Sequence, residues 1–224
     1  MDPAIFKAYD VRGVYPDEVN EENAWKIGYA TARFLPSLLH GYERGQTHGR
    51  SLCVGRDMRT HSSALAKALI EGMNATGTNV IDIGMIDTPQ MYFAINHFGT
   101  CGGVAVTASH NPAKYNGFKI SGLGAKPVGA DTGLKDIKHI AMALLHTKGK
   151  VTGSVEKYDL TAEYKNHVLR FLRPNIRQMK IAVDASNGMA GKMVPAIFGD
   201  LPVEIIALNF EHTGKFKHEP NPLI

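Results

Sequence analysis

Apolar residues fall along this chain in two spacings, and the spacing sorts the segments into strands and helices. Short, β-branched-rich runs occur at Leu52-Cys-Val54, Val80-Ile-Asp-Ile83, Gly102-Gly-Val-Ala-Val106, Phe118-Lys-Ile120, Lys180-Ile-Ala-Val-Asp184 and Val203 to Ala207. Their length and flanking turn residues predict strands. Ile5 to Arg12 is read the same way, ending at Gly13, where the backbone can turn. Helical spacing predicts helices between these runs. Trp25, Ile27, Ala30 and Phe34 make the first stripe, with Asn20 as cap, Glu21 and Glu22 in the first turn and Pro36 as the stop. Leu65, Leu69 and Met73 make the second, capped by Thr60 or Ser62 and ending near Gly77. A third starts with the Thr88 hydroxyl as cap before Pro89 and stops at Gly99. Asp131 to Leu145 forms a fourth, with Leu134, Ile137, Met142 and Leu145 inward; two more are expected from about Leu160 to Leu172, before Pro174, and up to Phe198.

Strands alternating with helices predict βαβ units. The fold class is therefore α/β: a mixed, mostly parallel sheet sandwiched by helices, plus the start of a second, similar α/β domain. Gly41 to Arg50, with three glycines and no apolar period, reads as a surface loop. The Gly, Thr and Ser between Lys148 and Glu156 mark a boundary, giving domains 1–152 and 153–224, the second a βαβ unit begun but not completed.

With 44% apolar and 21% charged residues, a packed globular chain is indicated rather than disorder. Lys and Arg number 25 against 21 Asp and Glu, net +4, and they are dispersed. No basic run interleaved with aromatics suggests a nucleic-acid groove, whereas a mild positive bias suits anionic small substrates such as sugar phosphates. Cys53 and Cys101 lie in or beside apolar strands, where a reduced cysteine behaves as a small hydrophobe; no disulfide framework or metal motif is seen. No apolar segment reaches membrane-spanning length, and Met1-Asp-Pro-Ala lacks the regions of a signal peptide, so a cytoplasmic location is expected.

The chemistry is placed in Thr107-Ala-Ser-His-Asn-Pro-Ala-Lys-Tyr-Asn-Gly-Phe-Lys-Ile120, a loop pinned by strands at both ends. Asn111-Pro112 biases the turn and limits its motion. A hydroxyl on such a turn, Ser109, suits a nucleophile or a phosphate carrier. Strand alternation sets Lys119 opposite Phe118 and Ile120, so its ammonium can face the same cleft. Side chains of adjacent residues usually diverge, so a nucleophilic Ser109–His110 pair is not expected. The flanks also differ from a Gly-x-Ser-x-Gly elbow. Arg56, at the carboxyl end of a strand, is either a positioning residue for a ligand or a structural partner of Asp57. Asp184 to Gly191 supplies only Gly-x-x-Gly of a dinucleotide fingerprint.

Thr107-Ala-Ser-His-Asn-Pro112 followed by Tyr115-Asn-Gly-Phe-Lys-Ile120 resembles the phosphoserine signature of the α-D-phosphohexomutases, of the bacterial phosphomannomutase/phosphoglucomutase type. Ile5-Phe-Lys-Ala-Tyr-Asp-Val-Arg-Gly13, Val54-Gly-Arg-Asp57, Asp87-Thr-Pro89 and Asp184-Ala-Ser-Asn-Gly188 are similar to the same family. The resemblance implies an isomerase of carbohydrate metabolism that moves phosphate between O1 and O6 of an aldohexose. Ser109 would be the phosphorylated residue, passing its phosphoryl group to form a bisphosphorylated sugar. It also implies Mg2+ on a phosphoserine 109 oxygen and a glucose 1,6-bisphosphate-type activator. Tyr9, Arg12 and Lys119 become substrate contacts, Lys119 in addition a charge-neutralising or acid/base group, and His110 a proton handler. Arg12 read without the family is a strand-end partner of Asp10.

The family's Asp-Gly-Asp-x-Asp-Arg metal loop does not occur in the sequence, and His218 to Ile224 resembles the approach to it. The expectation is therefore an amino-terminal part of a longer mutase, incompetent alone, with the missing carboxyl-terminal domains or a second chain as partner. A non-catalytic sugar-phosphate or partner-binding module is the alternative. Asn116-Gly-Phe-Lys119 resembles the mannose/glucose branch more than phosphoglucosamine mutase.

Overall fold

The computed structural model describes residues 1–39, 51–145, 150, 152–173, 175–218 and 221. The loop expected at 41–50, the Pro174 stop and most of 218–224 lie outside them.

A mixed sheet organises the amino-terminal part. Its strands are β1 (Val11–Val14), β2 (Leu52–Arg56), β3 (Val80–Met85), β4 (Gly102–Val106), β5 (Tyr115–Gly122) and β6 (Val155–Lys157), in the order β1-β5-β4-β2-β3-β6. The pairings β2 with β3, β2 with β4 and β3 with β6 are parallel, while β5 runs antiparallel to both β1 and β4. The connections between parallel strands are α2 (Ser62–Asn74) and α3 (Thr88–Phe98), as the strand–helix alternation requires.

Burial follows side-chain alternation. Val54, Val104, Val106, Phe118 and Ile120 are buried on one face, with α1 (Glu21–Phe34), α2 and α4 (Lys135–Ala143) contributing Ile27, Leu65, Leu69 and Ile137 to the same core. Cys53 and Ala105, one residue out of phase, point to the other face with Met91, Ala94 and Ile95 of α3. The result is three layers, helix on sheet on helix. Burial pushes the Cys53 and Cys101 thiols up to about 11 and about 12, so both are the inert hydrophobes their surroundings predict.

Several elements depart from the sequence reading. Ile5 to Arg12 is not one strand: Pro3–Ile5 forms a 3-10 turn capped by Asp2, and the strand starts at Val11. Proline at the start and the Asp2 carboxylate accepting from the Ala4 amide favour the turn. Asp87, not Thr88, caps α3, its carboxylate accepting from the Gln90 amide at 2.9 Å. Neither Thr60 nor Ser62 caps α2; His61 holds the cap position without a side-chain bond, and the Ser62 hydroxyl donates to Asp57 instead. In the fourth helix a distorted turn, Ala130–Leu134, precedes α4, which stops at Ala143. Ala141 takes the inward position, and Met142 and Leu145 are exposed.

The stretch expected as a boundary supplies β6 to the first sheet, with the Asn79 side chain accepting from the Ser154 amide and hydroxyl. Beyond it, α5 (Thr161–Leu169) leads to a two-stranded parallel sheet, β7 (Met179–Asp184) beside β8 (Val203–Leu208), joined by α6 (Ala190–Phe198). Parallel strands normally have both faces covered. Here Ile181, Ile206 and Leu208 remain exposed.

Candidate active site

The β4–β5 loop carries Ser109 to the carboxyl edge of the sheet. Ser109 and His110 are both exposed, and Ser109 has φ 55°, in the left-handed region that non-glycine residues seldom occupy. The Thr107 hydroxyl accepts from the Ser109 amide at 2.9 Å, and the Asn111 side chain donates to the Ala108 carbonyl. These bonds set the hydroxyl at the rim of a cleft of about 340 Å3, lined by Asp57, Asp87, Thr88, Ala105, Thr107 and Ser109 from the first unit and Ser186, Gly188 and Phe216 from the second. Contrary to expectation, the neighbouring side chains converge: Ser109 Oγ is 3.3 Å from His110 Nδ1. The left-handed turn at Ser109 is what redirects its side chain.

Beneath the loop lies a buried polar network that sequence reading missed. Arg59 is 2% exposed and uses every N–H of its guanidinium. Nε donates to Asp57 Oδ2 at 3.2 Å, Nη1 to the carbonyls of Pro112 and Tyr115 at 2.8 and 3.1 Å, and Nη2 to those of Ser109 and Asn111 at 2.9 and 2.7 Å. Asp57 is therefore the partner of Arg59, not of Arg56. Its other oxygen accepts from the Arg59 amide at 3.0 Å and from the Ser62 hydroxyl at 2.6 Å. Burial lowers the Arg59 pKa, and Asp57 works against that shift.

His61 extends the network. Nε2 donates to the Ala113 carbonyl at 3.1 Å while Nδ1 accepts from Asn116 Nδ2 at 2.7 Å, a pattern that only the neutral ring satisfies. Asn116 also donates to Ser62 at 2.8 Å, and the ring stacks on Tyr15 with centroids 4.6 Å apart. The His61 pKa lies below 6.5, chiefly through burial. A histidine with a lowered folded pKa contributes stability that is present above the unfolded value and lost as pH falls toward the folded one. Unfolding free energy measured in denaturant is thus expected to fall as pH drops below about 6.5, with a smaller pH dependence in His61→Gln. Equal slopes in the two proteins would contradict this role.

The other anticipated residues are distributed as follows. Lys119 is half-buried and directly opposite Ala105, so it leaves the sheet on the face that Ala105 turns to the cleft, away from the buried Phe118 and Ile120, but it does not itself line the cleft. Arg12 is ion-paired with Asp10, as the reading without the family had it, yet lies close enough to Arg59 to contribute to lowering its pKa. Its Nε is buried with no hydrogen-bond partner among the described residues. Tyr9 is 80% exposed and, like Arg12, does not line the cleft. Arg56 lines a separate groove with Lys157 and Lys192. In the Asp184–Gly191 loop, a Cβ on Gly191 would lie 2.3 Å from the Phe210 carbonyl oxygen, so this glycine serves the chain's own packing.

Among the described residues no group of three or more His, Cys, Asp or Glu could hold a metal ion. The two carboxylates of the cleft are already engaged, Asp57 with Arg59 and Ser62, Asp87 with the start of α3. A small hard cation such as Mg2+ needs several oxygen ligands in near-octahedral array. The residues described here do not form such a site by themselves.

An open α/β sheet that presents an exposed serine at the carboxyl ends of its strands has its candidate site where ligands of such sheets bind. The sequence profile of the phosphoglucomutase/phosphomannomutase α/β/α domain I matches residues 3–144, and the chain belongs to that family. It is 38% identical over 226 residues to a phosphomannomutase of Vibrio cholerae, and 38% identical over 228 residues to one of Escherichia coli K12, covering 98% of this chain and 47% of each relative. The chain thus spans about half the length of the curated relatives it matches. A solved phosphoglucomutase/phosphomannomutase family protein of Burkholderia thailandensis superposes with a TM-score of 0.84 at 32% identity, over 100% of this chain and 48% of that one.

Proposed function

We propose that this chain carries the phosphoryl-accepting half of a phosphohexomutase, with Ser109 Oγ as acceptor. The observation that carries this reading is the left-handed turn at Ser109, which holds an exposed hydroxyl over a cleft while buried donors grip the carbonyls around it. Phosphoryl transfer passes through a loose transition state, so the protein's task is alignment and charge neutralisation. In loading, Oγ bonds to phosphorus of a hexose 1,6-bisphosphate, the bond from phosphorus to the sugar oxygen breaks, and that oxygen takes the serine proton. His110 Nδ1, at 3.3 Å, is placed to relay the proton. The return step phosphorylates the other position of a hexose monophosphate, and reorientation of the bisphosphate completes the exchange between O1 and O6. Lys119, on the cleft face, neutralises phosphate charge, and Arg12 and Tyr9 contact the sugar phosphate when it spans beyond the cleft. Mg2+ and the bisphosphate activator follow from the family, and the carboxylates for the cation come from residues other than those described.

The relatives named phosphomannomutase support a hexose phosphate as substrate. By itself the 224-residue chain turns over no hexose phosphate, and its β7–β8 unit takes the remaining domains, or a second chain, as partner. The bare apolar faces of β7 and β8 support that pairing. The test is incubation of the chain with glucose 1,6-bisphosphate and Mg2+, alone and after mixing with the carboxyl-terminal half of a relative, followed by peptide mass spectrometry. One phosphate on Ser109 and mutase turnover only in the mixture are expected. An unmodified Ser109 in a mixture that assembles would sink the proposal, and turnover by the chain alone would remove the claim that it is half an enzyme.

A further inference from the structure

Four backbone carbonyls, those of Ser109, Asn111, Pro112 and Tyr115, converge on a single buried point. Their dipoles repel, and a left-handed serine adds backbone strain, so the loop has no intrinsic reason to hold this shape. What occupies the point is the Arg59 guanidinium, whose rigid planar fork matches four acceptors in a way that the three donors of a lysine ammonium cannot. One face of that guanidinium is covered from the other unit: the Phe216 ring centroid is 5.1 Å from Arg59 Cζ.

Phe216 sits on a segment tied to the β7–α6 loop. Asn187 Nδ2 donates to the Glu211 carbonyl at 3.2 Å, the Lys217 amide donates to Asn187 Oδ1 at 3.0 Å, and His212 Nε2 donates to the Gly188 carbonyl at 3.1 Å. The same segment presses on the first unit, where a Cβ on Gly214 would lie 2.4 Å from the Thr60 methyl. Phe216 also lines the cleft beside Ser109.

We infer that Arg59 is a positioning residue that imposes the left-handed turn at Ser109, and that Phe216 makes this turn answer to the placement of the second unit. Movement of the β7–β8 unit draws the ring off Arg59 and loosens the grip on the loop; seating of the unit restores it. The acceptor hydroxyl is thereby held in place only when the two units enclose the cleft. The functional meaning rests on the reading of Ser109 as phosphoryl acceptor, but the coupling itself is tested without it.

The experiment is amide hydrogen exchange of the 224-residue chain, followed at the Asn111 and Tyr115 amides, which are bonded within the loop to Ala108 and Pro112, against Val104 and Ile120 in the strands. Arg59→Lys is expected to speed exchange of the two loop amides by about tenfold or more, and Phe216→Ala by about threefold, with the strand amides unchanged. The Ser109 Cα chemical shift moves away from the left-handed value in the same order. Loop exchange at the wild-type rate in Arg59→Lys overturns the positioning role, and uniform acceleration of loop and strands does so too, because that is general destabilisation. Wild-type loop exchange in Phe216→Ala overturns the coupling, and this variant carries the test alone if Arg59→Lys fails to fold. Phosphate uptake by wild-type Ser109 is scored separately, so failure of the acceptor reading leaves the exchange result standing.

Discussion

Ser109→Ala takes up no phosphate from glucose 1,6-bisphosphate, and in an assembled enzyme its turnover falls by at least about 10⁴-fold, the scale on which loss of a nucleophile is felt. A methyl group has no lone pair to offer phosphorus, and the Thr107 hydroxyl of the same loop is held accepting from the Ser109 amide. Ser109→Thr separates chemistry from geometry. Threonine keeps the hydroxyl, but a β-branched side chain at φ 55° is a backbone outlier, so the turn relaxes and the oxygen leaves its place at the cleft. Loading of Ser109→Thr is expected about 100-fold slower than wild type, on the scale of a misplaced reacting group. Both variants are read by peptide mass spectrometry over a time course. Phosphate on the Ser109→Ala chain, at Thr107 or elsewhere in the loop, would show that the acceptor is not Ser109.

How far such a site is legible in sequence depends on the range of the interactions that make it. The Ser109 loop was readable because its signals are local: a strand before it, Asn111-Pro112 within it, and alternation at Phe118, Lys119 and Ile120 after it. The α1 cap at Asn20 and the left-handed Gly99 ending α3 were readable for the same reason, each residue acting on backbone within a turn of itself. Arg59 was not. Its five bonds reach Asp57, two residues away, but also carbonyls 50 to 56 positions on, and nothing in Arg56-Asp-Met-Arg59 distinguishes the buried arginine from the one lining a groove. β2 ends at Arg56, so alternation no longer governs which way the residues after it point. The caps differ from the hydroxyl pattern for two reasons: at α3 the Asp87 carboxylate takes the Gln90 amide in place of Thr88, and at α2 the Ser62 hydroxyl is spent on Asp57 and His61 holds the cap position. Leu145 lies past the end of α4 at Ala143, and Met142, still inside the helix, is exposed because Ala141 takes the inward position.

The dependence of the site on Asp57 is the second large effect, and it falls on stability. Asp57→Ala leaves the Arg59 side chain, wholly shielded from solvent, with four carbonyl dipoles but no counter-charge. Breaking one side of a buried ion pair costs about 3–5 kcal/mol, and thermal unfolding of the chain is expected to drop on the order of 10 °C, given about 2–4 °C per kcal/mol at this size. The Ser62 hydroxyl loses its acceptor in the same step, which the chain Ser62–Asn116–His61 passes on toward the Ala113 carbonyl. Asp57→Asn keeps the shape and an acceptor oxygen for Ser62 and the Arg59 amide but sets an NH2 against Arg59 Nε, so its smaller loss reports the charge together with that one hydrogen bond. The decisive comparison is Asp57→Ala combined with Arg59→Met. Removing both charges relieves the uncompensated cation, and the melting temperature recovers part of the way toward wild type. The loop carbonyls, however, then face a thioether that donates nothing, so loop amides exchange fast and Ser109 loads slowly even as stability returns. Recovery of stability and loading together would mean that the ion pair only fills space beneath the loop. Recovery of stability without loading assigns Asp57 to holding the arginine and Arg59 to holding the serine.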